Sequence, residues 1–356
     1  MPQTNPFEIL FALETTLGAS WPQFHAAHER TLKLCEDLDS STSASQDADA
    51  SIVTFGSVGR FEVTDASDID WVLLIDGQAD LAHQRRVLDI AGAVDRLMKK
   101  KVGQEGTFGK MAFSHDLVQY IGGGEDTNAN FTRRMLLLLE SRPIGRRGAY
   151  DAVLPVILER YLTGDHGWIR GRALHGVPRF LLNDIVRYWR TIAVDYAYKQ
   201  WTRDNRGWAL RSAKLRLSRK LIYTSGLLYC LGFIDHEWAA DQKVAQTDRK
   251  IQGIDRLQSL CALTPLDLLA DAFMKSTGLS DSASRVFGAY DAFLEILSDD
   301  SQRKHLENLD ADAADGDELW NHVRDLGNTF QDGLNALFLD HPENKFPELI
   351  RKYGVF

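Results

Sequence analysis

Apolar positions along this chain follow two periods. Phe7, Ile9, Leu10 and Leu13, and later Leu32, Leu34 and Leu38, recur at helix-like intervals, so residues 6–37 are predicted helical. The small polar run 39–50 (DSSTSASQDADA) interrupts them and reads as an exposed loop. The period then shortens. SIVTF (51–55) is a β-branched, buried strand ending at Gly56-Ser57, and Trp71-Val72-Leu73-Leu74-Ile75 is a second. Leu81, Val87, Leu88, Ala91, Val94, Leu97 and Met98 restore helical spacing. KMAFSHDLVQYI (110–121) reads as a third strand region, GGGED as a flexible loop, and NFTRRMLLLLESRPIG as a helix that stops before Pro143. From about residue 151 the segments are long and amphipathic with almost no strand signal. The prediction is an α+β chain. Residues 1–50 form a helical segment and loop, 51–150 a small mixed-sheet domain, and 151–356 one or more helical domains. No repeat of fixed period is visible, and the acidic stretch 307–319 reads as a solvated loop or helix start.

Composition narrows the function classes. A chain of 356 residues can hold two or three domains with cores of their own. A net charge of −9 argues against tight nonspecific nucleic-acid binding by bulk charge, though a local basic groove stays open. Cys35, Cys230 and Cys261 have neither metal nor redox spacing, which points to reduced, buried thiols in a cytosolic protein. The first residues lack a basic region followed by an apolar run, and no apolar stretch is long enough to span a bilayer. No signal peptide and no membrane partner are therefore expected, and a cytoplasmic location is.

The chemistry concentrates in FGSVGRFEVTDASDIDWVLLIDG (55–77). Asp68 and Asp70 stand two apart at the start of a strand, where i and i+2 share a face. Like charges so placed repel. A divalent cation between them reverses that, and hard oxygen ligands suit Mg²⁺, which binds one or two carboxylates together with substrate phosphates. The preceding turn supplies complementary groups: Gly56 lets backbone approach a ligand, Ser57 offers a hydroxyl and an N–H, Gly59 keeps the loop open, and Arg60 adds a cation. Together these suit a metal-held nucleoside triphosphate.

A strand ending in Gly56-Ser57, a short loop, and Ser67-Asp68-Ile69-Asp70-Trp71 entering an apolar strand resembles the polymerase β-type nucleotidyltransferase superfamily. Gly59-Arg60-Phe61-Glu62 resembles the variant in bacterial uridylyltransferases that modify a nitrogen-signalling protein, and LLLLESRPIG (136–145) is similar to another segment of that branch. The resemblance is strong over 51–77 and weaker to about 145. It implies transfer of a nucleoside monophosphate from an NTP to a hydroxyl or phosphate, with release of pyrophosphate. It also implies two Mg²⁺ ions, replaceable by Mn²⁺, held by three carboxylates. On this reading Gly56, Ser57, Arg60 and Ser67 bind nucleotide, and Asp68, Asp70 and Asp116 bind metal and catalyse. Asp116 is chosen because the third acid belongs on the strand after the intervening helix. A turn-capping Asp116 is the structural alternative, with Glu105 and Glu125 as other candidates. His115 is a phosphate contact or a structural histidine. Glu62 either orients Arg60 through an ion pair or is solvated, and Trp71 is core or base-side packing.

The helical half carries local basic faces. Asn183, Arg187 and Arg190 lie at i, i+4, i+7; Arg211, Lys214 and Ser218 share one face; Arg216, Arg219 and Lys220 form another cluster. Arg211 and Lys214 are expected to reach the triphosphate in a cleft between the domains, with Asn183 and Tyr188 near the base or acceptor. A solvated face paired with Asp184 and Asp195 is the competing reading. Tyr188, Trp189, Tyr196, Tyr198 and Trp201 are expected in the core. Three functions remain: a nucleotidyltransferase acting on a small molecule or protein, a second-messenger or RNA-tailing enzyme of the same fold, and a catalytically silent NTP-binding regulator.

Overall fold

The computed structural model describes residues 5–42, 49–97, 108–202, 205–233, 236–341 and 343–354. In chain order the elements begin with α1 (Glu8–Leu17), α2 (Pro22–Thr42), β1 (Ala50–Phe55), α3 (Gly56–Arg60), β2 (Asp70–Ile75), α4 (Leu81–Leu97) and β3 (Lys110–Phe113). They continue with α5 (Ser114–Val118), α6 (Asn128–Leu139), β4 (Arg142–Ile144), α7 (Gly148–Gly164), α8 (His166–Ile169), α9 (Arg179–Thr202) and α10 (Trp208–Lys214). A π-helical turn, Leu215–Arg219, joins α10 to α11 (Lys220–Leu231). Then come α12 (Glu237–Ala240), α13 (Gln246–Cys261), α14 (Pro265–Met274), α15 (Ser280–Ser298), α16 (Asp300–Asn308), α17 (Glu318–Asn335) and α18 (Phe346–Leu349). The fold is α+β: a small mixed sheet, then a helical region.

The sheet order is β3-β2-β1-β4, with β1 antiparallel to β2 and β4, and β2 parallel to β3. Side-chain alternation sorts its two faces. Ile69, Trp71, Leu73 and Ile75 join Ala50 and Ile52 in one apolar cluster, closed by Val87, Ile90 and Val94 of α4 and Leu38 of α2. Full burial of each Val, Leu or Ile side chain among them stabilises by roughly 1.5–3 kcal/mol. The opposite face meets α7, where the Tyr150 N–H donates to Ser51 Oγ at 3.2 Å.

Contacts divide the chain into two compact units that do not follow sequence order. One comprises Ala27–Phe180 with His236–Thr264; the other comprises Asn5–Ala26, Leu181–Asp235 and Pro265–Phe356. The boundaries expected at 50 and 150 therefore fall elsewhere, because α13 returns to pack on α7. In the second unit Asp267 of α14 accepts from the Phe7, Ile9 and Leu10 N–H groups, satisfying the open start of α1. Three local expectations change. The helix of residues 6–37 is two helices, and the second runs on to Thr42. The third strand region ends at Phe113, where the chain turns into α5. Pro143 does follow the end of α6 but sits in β4, an edge strand, where a missing N–H is tolerated.

Candidate functional site

β1 ends in an abrupt change of backbone direction. Phe55 is extended and Gly56 has φ +63°, a left-handed conformation that favours glycine. Phe55 is the register partner of Asp70. A Cβ on Gly56 would stand 3.1 Å from Asp70 Oδ2, so the turn and the second aspartate face each other across the mouth of the β1–β2 pair. Because Ile69 and Trp71 point into the core cluster, alternation puts Asp70 on the opposite face. Asp68, just before the strand, is exposed, Asp70 is half-buried, and Ser57 is half-exposed beside Gly56.

The connection between strands is held from beneath. The Glu62 N–H donates to the Ser57 carbonyl at 2.8 Å, and Phe61, itself at φ +64°, is buried. The Arg142 guanidinium lies 4.3 Å from the Phe61 ring centroid, and the Val63 N–H reaches Thr31 Oγ1 at 3.3 Å. Ser67, expected at the nucleotide, uses its hydroxyl in the turn: Oγ accepts from the Thr64 N–H at 2.9 Å and pairs with Thr64 Oγ1 at 3.1 Å. It therefore shapes the loop that delivers Asp68 and Asp70.

Arg60 also departs from its expected role. Its guanidinium is buried, donating from Nε to Glu62 Oε2 at 2.8 Å and from Nη1 to Glu140 Oε2. Arg60, Glu62 and Glu140 are each less than a tenth exposed. The ion pair envisaged for Glu62 is present, and it turns the cation inward. Gly59 does not keep a loop open: a Cβ there would stand 1.9 Å from the Glu140 carbonyl oxygen, so glycine is what lets α3 meet the end of α6. Sequence reading missed Glu140. The signal available was a lone carboxylate closing the run Leu136–Leu139.

The third carboxylate is where expectation and structure part most clearly. Asp116 lies in α5, not on a strand, and is close enough to Arg133 to offset part of the lowering that burial imposes on that guanidinium. Among the described residues no three His, Cys, Asp or Glu side chains are grouped to hold a metal. β3 itself carries Lys110, Met111, Ala112 and Phe113, none acidic. The Gly109 N–H donates to the Trp71 carbonyl at 2.8 Å, extending the ladder toward Asp70, and the Phe108 ring lies 5.8 Å from that of Phe55. An aromatic side chain thus lies beside Phe55, the register partner of Asp70. Glu125 is exposed in the loop before α6, whereas its neighbour Asp126 pairs with buried Arg134 at 2.7 Å. Glu105 lies outside the described residues. His115 is exposed, edge-on to Tyr120.

Arg211 and Lys214 are half-buried in α10 and belong to the second unit, whereas Gly56, Ser57, Asp68 and Asp70 belong to the first. Arg211 Nη1 donates to the Arg206 carbonyl. Asn183, Arg187 and Arg190 share an exposed face of α9, and Arg187 approaches Asp184 at 3.9 Å. The aromatics expected in the core separate: Tyr188 is buried, but Tyr198 is 60% and Trp201 78% exposed, because the C-terminal half of α9 has no buried residue.

No family model, curated protein or solved structure matches this chain.

Proposed function

We propose that the protein is a Mg²⁺-dependent nucleotidyltransferase that moves a nucleoside monophosphate from an NTP to a hydroxyl or phosphate acceptor, releasing pyrophosphate. The observation that carries this reading is the juxtaposition of Gly56 and Asp70, with Ser57 and Asp68 flanking them at the open end of β1 and β2. The donor set fits a hard cation. Two carboxylates on a strand mouth, completed by substrate phosphates and water, match what Mg²⁺ takes, and the missing side chain at Gly56 leaves the Asp70 oxygen approachable. The metal would supply neutralisation of phosphate charge. Ser57 would donate its hydroxyl to a phosphate oxygen, and the buried Arg60–Glu62–Glu140 network would keep that turn rigid. Asp116, the residue proposed to complete a two-ion site, lies in α5. The acceptor is proposed to be a small molecule, a protein or a nucleotide; the charge of −9 argues against long RNA.

A second reading, nucleotide binding without transfer, is favoured by one observation: β3 has no acid and Phe108 packs on Phe55 beside the Asp70 register position. Incubating the protein with four radiolabelled NTPs and cell extract, then separating protein, RNA and small molecules, tests both. Label transferred by the native chain and not by Asp70→Asn supports transfer. Mg²⁺-dependent NTP binding without labelled product supports the second reading, and neither binding nor label overturns both.

A further inference from the structure

The helical unit holds a group of cations that the β1–β2 site does not use. Arg216, Lys220 and Tyr223 stand at i, i+4 and i+7 along the continuous helix formed by α10, the π turn and α11, so they share a face. The π turn Leu215–Arg219 adds Arg219 within the same turn of chain; single π turns inside helices recur at functional sites. α9 adds Arg190. Its neighbour Trp189 stacks on Tyr223 with centroids 5.2 Å apart, and Arg190 is close enough to Tyr223 to offset part of the upward pull of burial on that hydroxyl.

Two features separate this group from an ordinary solvated basic face. Among the described residues, none of Arg190, Arg216, Arg219 and Lys220 makes an ion pair with a carboxylate, although the chain carries nine more acidic than basic side chains. Three of the cations are also partly withdrawn from water. Arg216, Arg219 and Lys220 are half-buried, and the Arg216 stem lies against α17 at Gly327, where a Cβ would stand 3.3 Å from Arg216 Cβ. Burial, with Arg216 adding to it, pulls the Lys220 ammonium down to about 8. Clustered cations without counter-charge and short of water are costly unless an anion completes them.

We propose that Arg190, Arg216, Arg219 and Lys220 form a binding site for an oligophosphate, the shared chemistry of inorganic polyphosphate chains and of nucleotide phosphates. A chain of phosphates spreads several charges over a few ångströms and takes both guanidinium forks and a point ammonium. Tyr223 and Trp189 close one side with aromatic surface. The site is argued from the second unit alone and does not depend on the carboxylate site.

Calorimetric titration of the full chain with inorganic tripolyphosphate in EDTA, at two salt concentrations, tests it. The native chain should bind, more weakly at high salt. Arg216→Gln with Lys220→Gln should lose at least about tenfold in affinity, as expected for removal of charge-assisted hydrogen bonds. The same double variant should melt no lower than the native chain, because it relieves cation repulsion. Asp70→Asn should bind tripolyphosphate as the native chain does, which separates this proposal from the nucleotidyltransferase reading. Repeating the titration with an NTP in EDTA identifies the source. Equal affinity marks the phosphates alone, and tighter NTP binding marks a nucleotide; either sustains the site. No binding of tripolyphosphate to the native chain, or unchanged affinity in the double variant, overturns it.

Discussion

Arg60→Met separates a structural cation from a nucleotide ligand. In the native chain one guanidinium lies between two carboxylates, with side-chain exposures of 9% for Arg60 and 2% for each glutamate. Methionine fills similar space but leaves Glu62 and Glu140 buried without their cation. Removing one partner of a buried ion pair costs about 3–5 kcal/mol. That is roughly 10²- to 10⁴-fold in the opening equilibrium, at a factor of ten per 1.36 kcal/mol. Native-state hydrogen exchange read by mass spectrometry on peptides covering β1 and β2 measures this locally, without requiring the two units to unfold together. Glu140→Gln is the control. It leaves a one-to-one pair with Glu62 and a neutral acceptor, so its loss should stay near 1 kcal/mol, the scale of an ordinary hydrogen bond. If Arg60→Met exchanges like the native chain and loses only NTP affinity, the structural assignment is wrong and Arg60 is a ligand after all.

Other expected outcomes rest on separate observations. Gly56→Ala should cost about 1–2 kcal/mol through its positive φ and weaken Mg²⁺-NTP binding by pressing on the Asp70 carboxylate, whereas Gly59→Ala should cost about 3 kcal/mol or more, since it meets backbone rather than a movable side chain; urea titration ranks the two. Asp116→Asn should leave Mg²⁺-NTP affinity within about twofold of native, as for substitutions away from a site; a tenfold loss by calorimetry would return Asp116 to the metal. Burial raises the Asp291 carboxyl to about 6, against the partial opposition of the Phe24 and Gln23 N–H groups. With the folded value above the unfolded 3.8, the stability contributed by its protonated form is full below about pH 4 and lost as pH rises through about 6. Asp291→Asn keeps an acceptor for the Phe24 N–H, so it should raise the melting temperature at pH 7.5 and leave it unchanged at pH 4.

The parts of the fold legible in the sequence were those with a strong local signal. β1 and β2 are evident because one β-branched run ends at Gly56 and an apolar run follows Asp70; the register pairs Phe55 with Asp70. α4 was evident from its apolar spacing. The strand expected at Asp116 is a helical turn because Leu117 and Val118, buried on one side of α5, form an apolar run too short to separate the two conformations. The burial of Arg60 is not legible in the sequence, because a basic residue after a Gly-Ser turn looks available until its long-range partner is known, and Glu140 stands eighty residues away. Tyr198 and Trp201 have the spacing of a packed stripe, but spacing does not reveal whether a second surface meets it. The division into units was hidden because it depends on α13 returning to α7 late in the chain.

The proposed function requires the Asp70 carboxylate, facing Gly56, to hold the metal of a Mg²⁺-NTP complex. Calorimetric titration of each NTP into the native chain and into Asp70→Asn, with Mg²⁺ and again in EDTA, decides whether it does. Mg²⁺ should strengthen binding of at least one NTP to the native chain, and Asp70→Asn should lose this increment while remaining folded by circular dichroism. An Asp70→Asn chain that gains as much affinity from Mg²⁺ as the native chain contradicts it.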